Sequence, residues 1–99
     1  MANAPVSRTV VVKNREGLHA RPAFILSKLA NEFASTIELI RGSEPVDAKS
    51  ILSILTLGAE CGTEILIRAS GEDAESAVAA LVDLFESEFG LQSENDATN

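Results

Sequence analysis

The 99-residue sequence has no tryptophan and no tyrosine, a single cysteine, a single histidine, one methionine and three prolines. Each scarcity narrows the function classes open to it. With Cys61 alone, no disulfide forms within the chain, and one His with one Cys falls short of a tetrahedral zinc set. A cysteine nucleophile would want a histidine beside it, so Cys61, between Glu60 and Gly62, reads as a structural or incidental thiol. No run approaches the ~20 apolar residues of a membrane span, and Met1 to Val6 lacks the basic start and apolar stretch of a leader. A soluble, cytoplasmic protein without membrane insertion is therefore expected. Basic residues are also scarce: Lys and Arg number 8 against 15 Asp and Glu, and the net charge of −7 argues against nucleic acid as a partner. A chain this short makes one small domain with little surplus stability.

The charge is unevenly spread. Residues 1–50 hold seven Lys/Arg and five Asp/Glu, a net +2, whereas residues 51–99 hold one and ten, a net −9. The sole histidine lies in the electropositive half, which should draw acidic or phosphorylated partners over a Debye length of about 8 Å.

That histidine stands in Glu16-Gly17-Leu18-His19-Ala20-Arg21-Pro22-Ala23. Gly17 and Pro22 bracket a turn between an extended run and an apolar-periodic one, so His19 is predicted where a strand hands over to a helix. Proline is tolerated in the first helical turn, where its missing N–H would have no intrahelical partner. Backbone N–H groups of Ala20 and Arg21, together with the positive end of the helix dipole, favour an anion there. A phosphoryl group on a ring nitrogen is such an anion, and the planar guanidinium of Arg21 suits its oxygens.

The motif Gly17-Leu18-His19-Ala20-Arg21-Pro22-Ala23 closely resembles the active-site motif of the HPr family, the histidine-containing phosphocarriers of the bacterial phosphoenolpyruvate-dependent sugar phosphotransferase system. A second matching block, Ala48-Lys49-Ser50-Ile51 followed by Thr56-Leu57-Gly58, stands at the family's usual distance downstream. The resemblance covers about residues 6 to 90. It implies that His19 is phosphorylated by the system's first enzyme, that Arg21 is the phosphate partner, and that the group passes on to sugar-specific permease domains. The chain would then be a carrier with no turnover of its own and no cofactor or metal. The resemblance further implies that Ser50 is the family's regulatory serine, bringing a serine kinase/phosphorylase and transcriptional regulators among the partners. Ser50 is in any case the expected N-cap of a second helix, and its role as a cap alone stays open. A phosphate there would meet the dipole favourably yet set ~−2 charge against Ile51 and Leu52. Phe24, Asp47 and Ser53 depart from familiar members of the family.

Hydrophobic patterning supplies the rest. Met1 to Ser7 reads as a frayed end, Thr9–Lys13 as a buried first strand, and Arg21 to Asn31 as a helix with Ala23, Leu26, Ala30 and Phe33 on its core stripe. Phe24 falls beside that stripe, as docking surface or as a partly buried edge. Thr36–Ile40 and Glu44–Asp47 read as strands around an Arg41-Gly42-Ser43 turn, with Pro45 marking an edge. A short helix follows from Ser50 to Leu57; Ile54 and Leu57 face inward, leaving Ile51, Leu52 and Leu55 as a docking patch beside Phe24, a reading that leans on the family. Glu64–Ser70 is the fourth strand. Asp73 is expected to cap the longest helix, whose stripe Ala74, Val78, Leu81, Phe85 and Phe89 runs to Gly90. Residues 91–99 are expected to be a disordered tail.

The order β-α-β-β-α-β-α points to an α+β fold: an open-faced β-sandwich, a four-stranded antiparallel sheet covered on one side by three helices, in one HPr-like domain over 1–90. A monomer is the simplest expectation. The nearest rival is a regulatory HPr-like protein of a nitrogen-related or signalling phosphorelay, of which Leu84-Phe85-Glu86-Ser87-Glu88-Phe89-Gly90 is reminiscent. A histidine phosphatase and a bare interaction module are more distant alternatives.

Overall fold

A computed structural model describes residues 4–91. Four strands and three helices alternate as β1 (Val6–Val11), α1 (Ala20–Ala30), β2 (Thr36–Arg41), β3 (Glu44–Asp47), α2 (Ile51–Leu55), β4 (Glu64–Ser70) and α3 (Ala74–Glu86), followed by a 3₁₀ turn at Glu88–Gly90. The sheet order is β1-β4-β2-β3, and every neighbouring pair is antiparallel. This is the open-faced sandwich that the element order implies.

The two-residue period of β4 decides the layering. Ile65, Ile67 and Ala69 are buried, and their partners in register are Val10 on β1 and Leu39 and Ile37 on β2. The helices close over this face. Leu26 of α1, Ile54 of α2, and Leu81 and Phe85 of α3 are fully buried in one core with it. On the open face Arg68 sits opposite Glu38 and donates to its Oε1 through Nη2 at 2.6 Å and Nε at 3.0 Å, so a charged pair replaces core there.

Several boundaries differ from expectation. The first strand starts at Val6, not Thr9, because Val6 and Ser7 pair with Ala69 and Arg68 instead of fraying. Its valines are not buried together: Val10 and Val12 point inward while Val11 is exposed, as the pleat requires. Phe33 packs only half-buried at the edge of the core. The last helix stops at Glu86, since Glu88 and Phe89 adopt φ of +56° and +60°. That reversal, not a further helical turn, buries Phe89 edge-on against Phe85, ring centroids 5.0 Å apart. Asp73 occupies the N-cap position of α3 without capping it. Its carboxylate reaches across to Ser35, accepting from the Ala34 and Ser35 N–H groups at 2.8 and 2.9 Å and from the Ser35 hydroxyl. Leu91, assigned to the tail, packs against the core, while the rest of that segment, residues 92–99, lies outside the described residues, as do residues 1–3.

Candidate functional site

The loop joining β1 to α1 is built on Asn14 and Gly17. Asn14 is buried, its Nδ2 donates to the Gly17 carbonyl at 2.6 Å, and the Gly17 N–H returns to the Asn14 carbonyl at 3.1 Å. Gly17 has φ +79°, and a Cβ there would stand 2.5 Å from the Ala59 carbonyl oxygen, so only glycine fits this approach. Leu18 donates to that same carbonyl at 2.9 Å and buries its side chain. The loop is thereby fastened to the segment before β4, and the next residue, His19, is turned outward.

His19 is the N-cap of α1 with extended backbone. Its side chain is 54% exposed and makes no capping hydrogen bond. The first intrahelical bond runs from the Ala23 N–H to the His19 carbonyl at 2.9 Å, so the N–H groups of Ala20 and Arg21 lie ahead of the ladder at the positive end of the dipole. Pro22, next in line, is buried and has no N–H to offer. Arg21 is exposed on the same first turn. An accessible ring, two leading amides and a guanidinium within three residues make an open perch suited to a phosphoryl-sized anion.

The second motif lies alongside, because α2 packs on α1. Lys49 Nζ donates to the Phe33 carbonyl at 2.8 Å and Asn31 Nδ2 to the Lys49 carbonyl at 3.0 Å, tying the end of α1 to the start of α2. Ser50 is the N-cap of α2, its hydroxyl accepting from the Ser53 N–H at 3.2 Å. Phe24 and Leu52 are 52% and 76% exposed and Leu55 sits at the margin, whereas Ile51 is half-buried against the core. Ile51 thus departs from the exposed patch expected of it, since its side chain packs against the core while Leu52, next on the same turn, faces out. Lys28 Nζ lies 5.9 Å from the Phe24 ring centroid, a cation–π contact that leaves most of the ring open.

Two residues near the histidine escape a reading by motif. Asn14 stands three residues before Gly17, a turn spacing that carries the signal in retrospect. Glu16 Oε1 lies 3.4 Å from His19 Nε2, an i,i+3 relation that a helix wheel cannot reveal in a turn. A groove lined by Arg41, Glu44, Val46, Thr56 and Leu57 runs between the β2–β3 hairpin and α2, and none of the candidate residues lines it. Among the described residues no three His, Cys, Asp or Glu side chains gather as a metal site, and no helix is long and apolar enough to cross a membrane.

Comparison with known proteins agrees with this geometry. The family described as "PTS HPr component phosphorylation site" matches residues 6–87. The chain is 40% identical over 84 residues to the phosphocarrier protein HPr of Treponema pallidum, covering 85% of this chain and 96% of that one. It is 48% identical over 84 residues to the phosphocarrier protein NPr of Proteus mirabilis, covering 83% and 92%. Among solved structures, HPr-C-His from Thermoanaerobacter tengcongensis superposes with a TM-score of 0.83 at 44% identity, covering 86% of this chain and 96% of that one.

Proposed function

The chain belongs to the HPr family of phosphocarriers of the phosphotransferase system, and we propose that it takes up a phosphoryl group on His19 from the phosphorylated first enzyme and passes it to sugar-specific permease domains. The working unit is the single HPr-like domain of residues 1–90. The observation that carries the reading is the exposed His19 ring at the N-cap of α1, with no capping bond to occupy it and Arg21 on the adjoining turn.

A neutral imidazole is a competent nucleophile without a separate base, so one histidine suffices for a protein that only receives and relays. The relay must not bind its cargo deeply, because a well that traps the phosphohistidine blocks onward transfer. A few backbone donors and one arginine on an open surface meet that requirement; an enclosed pocket would not. The chain is then a substrate of its partners' chemistry and has no turnover of its own. Partners dock over Phe24, Leu52 and Leu55, with the flank of Ile51 contributing. Ser50 regulates that surface when a kinase/phosphorylase modifies it, and the modified form engages transcriptional regulators. The protein acts in the cytoplasm as a monomer.

Incubation with phosphoenolpyruvate and a first enzyme, followed by mass spectrometry, is expected to show one acid-labile phosphate on His19, and the His19→Ala chain should take none while keeping its fold. Labelling of the substituted chain would refute the assignment. A second reading is favoured by the higher identity to the relative named NPr than to the Treponema HPr: the chain serves a nitrogen-related or signalling relay and does not feed sugar uptake. Failure of purified sugar-specific domains to accept the phosphoryl group, with His19 fully labelled, would select it.

A further inference from the structure

One side chain outside the family motif faces the reacting ring. Glu16 Oε1 lies 3.4 Å from His19 Nε2, with the two side chains 67% and 54% exposed. The backbone brings the two side chains out on the same turn: Asn14 and Gly17 close it, Leu18 is fastened to Ala59, and Gly17 and Leu18 between the two side chains are buried. On the other side of the ring, the capping role that would engage Nδ1 with the helix amides is not taken up.

A neutral imidazole carries one proton, and the nitrogen that faces an acceptor keeps it. We propose that Glu16 is a positioning residue for phosphoryl transfer at His19: its carboxylate holds the N–H at Nε2 and leaves the lone pair of Nδ1 as the nucleophile. The inference rests on His19 being the acceptor. In the step, the Nδ1 pair forms the N–P bond while the bond from phosphorus to the donor breaks, its electron pair remaining on the donor. Nε2 keeps its proton throughout, so the ring becomes cationic beside Glu16, and onward transfer runs the same changes backwards. The carboxylate attracts the cationic ring and repels the phosphoryl oxygens, which lie farther away across the ring, where distance and salt weaken the repulsion more. The two effects largely offset, so Glu16 orients the ring without deepening the well that holds the cargo.

Because the chain has one histidine, heteronuclear NMR of its ring nitrogens reads a single imidazole. The wild-type protein is expected to favour the Nε2–H tautomer. In Glu16→Gln the tautomer ratio and the initial phosphotransfer rate at low salt should both fall about 1.5- to 5-fold, the range of exposed ion pairs, and Glu16→Asp should restore part of each. An unchanged tautomer ratio in Glu16→Gln, with the backbone amide spectrum intact, overturns the proposal. A wild-type chain that shows the Nε2–H bias yet takes no phosphate on His19 overturns the carrier reading, and with it the role in transfer, by a separate measurement.

Discussion

Ser50 holds a helix start and borders the proposed docking patch, and substitutions separate the two roles. Its hydroxyl accepts from the Ser53 N–H at 3.2 Å, so Ser50→Ala should cost about 1 kcal/mol, a fall in Tm of about 4–8 °C for a domain of this size. Ser50→Asp keeps an acceptor at the cap and should leave Tm nearly unchanged. Its charge, set beside exposed Leu52, should weaken affinity for the first enzyme; equal affinity would remove the regulatory reading. Gly17→Ala is expected to be worse than either cap change. The new Cβ meets backbone at 2.5 Å in a left-handed conformation, costing about 2 kcal/mol or more, read as a lowered urea midpoint. A place beside the stripe left Phe24 open between docking surface and a partly buried edge, whereas the Ser50 cap could be read from the sequence because it follows from local position along a helix. The half-burial of Ile51 could not, since it depends on how α2 is pressed onto the core, and Glu16 could not, since only a folded backbone shows which way a turn aims its side chains.

The joint between β4 and α3 is held from outside its own helix. Asp73 accepts from Ser35 and from the Ala34 and Ser35 N–H groups, first through the Ser35 hydroxyl, and these bonds lower its carboxyl below the ordinary value of 3.8. A depressed native value means that the contribution is fully present above the unfolded-state value and is lost as pH falls through the native one. Asp73→Asn should therefore be destabilised relative to wild type at neutral pH, and the gap should shrink below about pH 3.8, as measured by urea denaturation at the two pH values. The order and type of the seven strands and helices were legible in the sequence, through apolar stripes in α1, β2 and α3, which record the buried face, and through β-branched runs and turn residues elsewhere. Boundaries shifted where partners decide: Val6 and Ser7 pair with β4, and α3 gives way after Glu86 to a left-handed reversal that folds Phe89 back onto Phe85. The role of Asp73 differs from the expected cap for the same reason, its donors lying 38 and 39 residues away in sequence.

The single core joins the proposed carrier site to the rest of the chain, Leu18 beside His19 being one of its members. A domain of about 100 residues has roughly 5–15 kcal/mol of net stability, and Phe85, fully buried on the inner face of α3 and edge-on to Phe89, should cost about 3–5 kcal/mol when replaced by alanine. Urea unfolding should show a lower midpoint for Phe85→Ala, while His19 in the fraction still folded takes phosphate at the normal rate, because the ring is presented by its own loop. That loop, pinned by Leu18 to the Ala59 carbonyl and packed through Gly17 against the same segment, makes the histidine a fixed peg. On the proposed carrier reading, the visiting proteins supply the sockets, and all the reaching and closing falls to them. One unchanging shape can then serve a succession of dissimilar docks, as a shared connector must.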